Sequence, residues 1–205
     1  KMPDATDRTP VRASRTPRIT ETTLSRRIDP SLHEVLRFSS RAGWRSWLEV
    51  NHAGAAEARV AILKKHLGPP PLTIEDVQED ALCFGWIDTT GRRLDDSTFM
   101  LRLTPRRPNS EWSMINVRRV EKLAAQGLMT EAGWRSVEEA KRNGQWDLAI
   151  RVEEVDLIPP VLDEALRVAP GGRERYLALP RTRRKQMLRS VLSAKTEATR
   201  GRRIA

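Results

Sequence analysis

Apolar residues follow two different periods along the chain, and the elements change where the period changes. Over Thr98–Thr104 the period is two. Phe99, Leu101 and Leu103 alternate there with Met100, Arg102 and Thr104, which predicts a half-buried strand. Trp86–Thr90 predicts its antiparallel partner, and the link between them, with Gly91 and Asp95–Asp96, predicts a long hairpin loop. Pro105 and Pro108 end the second strand, because proline has no N–H for the ladder. The stretch Ala81–Asn116 is the centre of the chain, with helices leading in and helices packing back.

The helical period predicts the rest. Ser31 and Glu34, after Asp29–Pro30, have capping-box spacing and predict a helix start. Trp44, Trp47, Leu48 and Asn51 form one stripe of a helix over 41–52. Ala58–Lys65 fits either a buried strand or the end of a helix, and the strand is preferred. Thr73 caps a helix with Asp76 at its third position and Ile74, Val77, Ala81, Leu82 and Phe84 on its apolar face, and Gly85 closes it. Ser110 predicts the N-cap of a helix over 111–126, closed by Gly127. Thr130 opens another that stops at Asn143–Gly144, and Trp146–Ile150 adds a turn. Val161–Val168 is a short helix, and a last long helix over 182–199 carries Met187, Leu188, Val191, Leu192 and Ala194 on one face. Helices, a small antiparallel sheet and more helices predict an α+β fold, mostly helical, with a helical C-terminal module.

Composition sharpens this picture at the two ends. Residues 1–30 are basic and almost free of large apolar side chains, so they are expected to be disordered. The expected division is 1–30, an α+β core over 31–152, and a C-terminal module over 153–205 that begins at the acidic, proline-containing Glu153–Pro160. Residues 171–205 hold eleven Lys and Arg against Glu174 and Glu197, so +9 of the net charge of +10 sits there. That segment is either a solvated amphipathic helix or a docking surface for nucleic acid or another acidic partner. With 205 residues, one cysteine, no apolar run long enough for a membrane span and no secretion-signal core at the N-terminus, a cytoplasmic protein is expected.

Candidate chemistry is sparse. His33, His52 and His66 have no ligand spacing, and Cys83, between Leu82 and Phe84, reads as a small buried hydrophobe, so neither a metal nor a cofactor is expected. Asp88, Asp95 and Asp96 flank a hairpin and read first as turn formers. One cluster has the makings of a small-anion site: Arg106, Arg107, Ser110, Trp112, Ser113 and Asn116, with two arginines before a helix whose first turn offers free N–H groups. Arg102 and Thr104 on the strand, and Trp86 and Asp88 on its partner, complete the set. One of the two adjacent arginines is expected to be solvated. The plain alternative is solvated arginines and a Ser110 that merely caps.

Several segments are similar to the YdeI/OmpD-associated, or bacteriocin-protection, family. They are ALCFGWID at 81–88, TPRRPNSEWSMIN at 104–116, the Gly-Leu-Met-Thr-x-Ala-Gly segment at 127–133, GQWD at 144–147, and WRSWLEVNH at 44–52 with Lys64–Lys65. DEAL at 163–166 and AKTEATRGRRI at 194–204 resemble the family's OmdA-type C-terminal module. The chain departs from the family at Ala61–Ile62–Leu63, where a tryptophan is usual, and its first thirty residues fall outside the resemblance. The resemblance implies an association with bacteriocin resistance and a porin and establishes no reaction; the leading expectation is a bacterial stress-protection or regulatory protein that acts by binding, without catalysis. An enzyme, or degenerate enzyme, acting on a small anion at Arg106 and Arg107, and nucleic-acid binding through the arginine-rich last helix, remain as alternatives.

Overall fold

The computed structural model describes residues 34–204; the segment expected to be disordered and the helix start at Ser31 lie outside them. Four strands form one mixed sheet: β1 (Val35–Leu36), β2 (Ala58–Leu63), β3 (Trp86–Arg93) and β4 (Thr98–Pro105), in the order β1-β2-β4-β3. Residues 35–36, expected to continue a helix from Ser31, are instead a parallel edge pairing Val35 with Arg59. Of Ala58–Lys65, the part Ala58–Leu63 is a strand, with β-branched Val60 and Ile62 in it, and Lys65 opens a short 3-10 turn. In register, Ala58 faces Leu103, Val60 faces Leu101 and Ile62 faces Phe99, which puts one apolar row on one face of the sheet.

The hairpin loop is shorter than expected. β3 runs on to Arg93 through Gly91, with a register shift between Asp88 and Thr90. Gly91 lies under an aromatic ring: a Cβ there would come 2.4 Å from Phe99 Cζ. The turn itself is built by Asp95, whose carboxylate accepts from the amides of Ser97 and Thr98 at 2.8 and 2.7 Å. With the Thr98 hydroxyl donating first among these, the Asp95 carboxyl is held well below its ordinary range.

α1 (Arg41–Asn51), α2 (Ile74–Cys83), α3 (Met114–Ala125), α4 (Glu131–Arg142) and α5 (Gln145–Arg151) share one hydrophobic core with the sheet, α2 lying against β3 and the others gathered around α2 and one another. Trp44, Leu48, Val60, Val77, Leu103, Val117 and Leu123 are the buried centre. α2 opens with the full capping box of Thr73 and Asp76, and Arg41 of α1 reaches across to Asp76 and Asp80. Ile74, expected on the buried face, is 40% exposed. α3 starts three residues later than expected, because Ser113 rather than Ser110 is its N-cap and accepts from the Asn116 amide. The Ser110 hydroxyl closes a turn by donating to the Arg107 carbonyl at 2.5 Å.

α2 and α4 meet end to end without room for side chains. Thr130 caps α4 by accepting from the Gly133 amide, while its hydroxyl donates to the Cys83 carbonyl at 2.6 Å. A Cβ on Gly133 would lie 2.2 Å from the Cys83 oxygen, and Gly85, at φ +75°, lies against the Ala132 carbonyl.

The C-terminal region is α6 (Pro160–Val168), α7 (Gly172–Ala178), α8 (Arg181–Leu192) and α9 (Glu197–Ile204). The expected long last helix is thus two helices with a break at 193–196, and α7 was not foreseen. Leu162, Tyr176 and Leu188 form a second buried cluster with Leu148, Val152 and Val155. Basic residues of α8 meet the preceding acidic segment: Arg181 and Lys185 pair with Glu153, and Arg184 with Asp156. No helix among the described residues is long and apolar enough to cross a membrane.

Candidate functional site

Where β4 ends, Pro105 gives way to Arg106, whose amide donates to the Gly85 carbonyl at 2.9 Å. This bond fixes the start of the 106–113 connection against the α2–β3 junction. The Arg106 guanidinium lies over the Trp112 ring, 3.9 Å from its centroid. Trp112 is buried and packs on Trp146 of α5 at 5.3 Å. Arg106 Nη1 donates to the Glu111 carbonyl at 3.2 Å.

The other two nitrogens of that guanidinium stand out as a pair, since Gln145, Arg184 and Arg189 each leave only a single buried atom without a partner among the described residues. Nε and Nη2 are buried and have no hydrogen-bond partner among the described residues. A ring beneath the guanidinium plane stabilises its charge but offers no acceptor in the plane. A buried donor left unmet costs on the order of 1–3 kcal/mol, more when it is charged. Nε and Nη2 together form one edge of the guanidinium, the fork that holds a carboxylate or phosphate with two parallel bonds. Burial pushes the Arg106 guanidinium down to about 10, with Asp88 opposing, so it stays charged at neutral pH.

Arg106 lines a cleft of about 320 Å³. Its lining comes from the α2–β3 junction at Phe84, Gly85 and Trp86, the end of β4, the Ala132–Glu139 face of α4, and His52 with Ala53. The size suits a small molecule rather than a polymer. Three arginines, Arg106, Arg107 and Arg135, face one carboxylate, Glu139. Arg135 also pairs with Glu131 at 2.6 Å, and Glu139 with Arg142. The His52 Nδ1 lies 2.8 Å from the Leu48 carbonyl, and the Ser136 hydroxyl donates to the Gly133 carbonyl at 2.8 Å. Glu139 is thus paired and His52 is held through Nδ1 alone, whereas the Arg106 fork has no protein partner among the described residues.

Of the residues singled out in the sequence, Arg106, Arg107 and Trp86 line this cleft. Arg107 is exposed, while Arg106 is held. Trp86 is almost fully buried and its indole N–H donates to the His52 carbonyl at 3.1 Å. Trp112 serves from beneath as the plate under Arg106, and Asp88 accepts from Gln78 at 3.0 Å. Arg102 is occupied elsewhere on the sheet: it donates to Glu57 at 2.7 Å and to the Thr89 hydroxyl at 3.1 Å. Burial raises the Glu57 carboxyl, but Arg102 and Arg59 outweigh it and hold the group low. Thr104 lies opposite Ile87, and Ser110, Ser113 and Asn116 serve the turn and the α3 cap, outside the cleft lining. The residues missed were His52 and the α4 wall. Their signal was the close glycine packing of Gly85 and Gly133, which periodicity does not reveal.

Two family models match the chain in tandem. Residues 36–136 match a domain of unknown function, DUF8412. Residues 157–205 match OmdA, described as Bacteriocin-protection, YdeI or OmpD-Associated. No curated protein and no solved structure matches the chain.

Proposed function

We propose that this chain, with an OmdA domain of the bacteriocin-protection, YdeI or OmpD-associated type at residues 157–205 behind a DUF8412 domain at 36–136, acts by binding a small oxoanion. The ligand is a carboxylate or phosphate group for the Arg106 fork beside the cleft; Nε and Nη2 are closed to solvent in this structure, so binding requires the rim to give way. The observation that carries this reading is the buried Nε and Nη2 edge without a partner among the described residues. Arg107 and Arg135 add positive charge at the rim. The arginine-rich C-terminal region supports a nucleic-acid reading less well, because Arg181, Arg184 and Lys185 already face Glu153 and Asp156.

Thermal unfolding in the presence of phosphate, sulfate or acetate tests the reading. At about 100 Kd of a ligand the melting temperature should rise by roughly 5–10 °C for a domain of this size. Arg106→Lys keeps a charge but loses the fork, so the rise should disappear; Arg107→Ala should retain most of it. An unchanged rise in Arg106→Lys, or none in the native protein with any of the three anions, would overturn the proposal.

A further inference from the structure

The two residues that hold Arg106 are themselves held from the C-terminal region. Arg189, in the last turn of α8, donates from Nη2 to the Trp112 carbonyl at 2.8 Å. Its Nη1 lies 3.7 Å from the Glu111 carboxylate. Glu111 and Trp112 are the partners of Arg106, through the Glu111 carbonyl and the Trp112 ring. The 106–113 connection belongs to no helix or strand, so few backbone bonds fix it. A turn at Arg107–Ser110 fixes its start, and the Ser113 cap fixes its end. Between those points, Arg189 is a donor supplied from 77 residues away. α8 is a firm base for it: Leu188 and Val191 are buried, and Arg184 and Lys185 are paired with the 153–156 segment.

We infer that Arg189 is a positioning residue for the cleft, so that its bond to the Trp112 carbonyl sets how well the Arg106 fork grips its ligand. This rests on the anion-binding reading above. Losing the Arg189 bond frees the Trp112 carbonyl and lets the plate under Arg106 shift, and a fork that must meet two acceptor oxygens tolerates little displacement. The coupling runs both ways, because whatever the Arg189 bond adds to ligand binding is matched by ligand-induced protection of the last turn of α8.

The test is titration of the full chain with phosphate, sulfate and acetate, followed by calorimetry, beside hydrogen exchange of the α8 amides. Arg189→Gln should weaken binding about 10-fold, within the usual range for coupled sites. Arg189→Lys, which keeps one donor for the Trp112 carbonyl, should recover part of the loss. Arg184→Gln disturbs the same helix through Asp156 without touching the cleft, and should leave affinity within about 2-fold. Bound anion should slow α8 exchange in the native protein but not in Arg189→Gln. If the native protein binds and Arg189→Gln binds equally well, the coupling is wrong and the anion site stands. If Arg184→Gln weakens binding as much as Arg189→Gln, the effect is general destabilisation and the coupling is again wrong. If Arg189→Gln does not fold, unchanged α8 exchange in the native protein on anion binding overturns the inference by itself. If the native protein binds none of the three anions, the anion reading itself falls.

Discussion

A methyl group added at Gly133 would meet the Cys83 carbonyl oxygen at 2.2 Å, far inside contact distance. Both partners are backbone atoms at helix ends, so neither moves without shifting a helix. Gly133→Ala should therefore destabilise the protein by at least about 3 kcal/mol, the upper end of the usual overpacking cost, as read from denaturant unfolding. A change below about 1 kcal/mol would mean that α4 slides freely. At this scale the sequence was legible unevenly. Cys83 reads as apolar from its neighbours and is fully buried, with burial pushing its thiol up. The arginine pair was visible from its place between two prolines, but which of the two is held depends on Trp112 and Gly85. Gly133 carries no mark in the sequence that separates a close helix approach from an ordinary helical glycine.

At the scale of elements, capping chemistry was readable where one residue alone fits. Thr73 with Asp76 forms both halves of its box, with the Asp76 carboxylate accepting from the Thr73 amide at 3.0 Å. Burial raises the Asp76 carboxyl, but Thr73 and Arg41 outweigh it and hold the group below its ordinary value. A carboxyl depressed in the folded state adds stability above its unfolded value of about 4 and loses it as pH falls through the folded one. Asp76→Asn should cost about 1 kcal/mol at neutral pH, and its stability should fall less than the native protein's on acidification below about pH 4. Parallel pH curves for the two proteins would remove Asp76 from the acid response. Ser110 and Ser113 were harder to tell apart, since either can cap. Pro108 and the turn at Arg107 leave Ser110 no following helical turn, so Ser113 takes the role. α7 and the break before α9 were hidden because short helices with few apolar residues lack a measurable period.

At the scale of the whole molecule, two buried clusters share one chain, and α5 contributes to both, through Ala149 to the first and Leu148 to the second. The sequence showed the charge imbalance but not its use. Most basic side chains of α8 are turned toward the acidic segment before α6, or toward Glu111, rather than forming an unbroken basic face. The sheet carries a different consequence. β3 is the last strand in the order β1-β2-β4-β3, and among the described residues its outer edge has no strand partner. Such an edge is a template on which another molecule can extend the sheet. The shift between Asp88 and Thr90 spoils its regularity, and the exposed Arg92, beside an Arg93 held by Asp96, puts charge in the way of any copy that approaches. Replacing both, as in Arg92→Thr with Arg93→Val, should leave the fold intact yet start concentration-dependent self-association, visible as rising light scattering on storage. The pair of arginines that does nothing for the cleft would then be what keeps one molecule from recruiting the next.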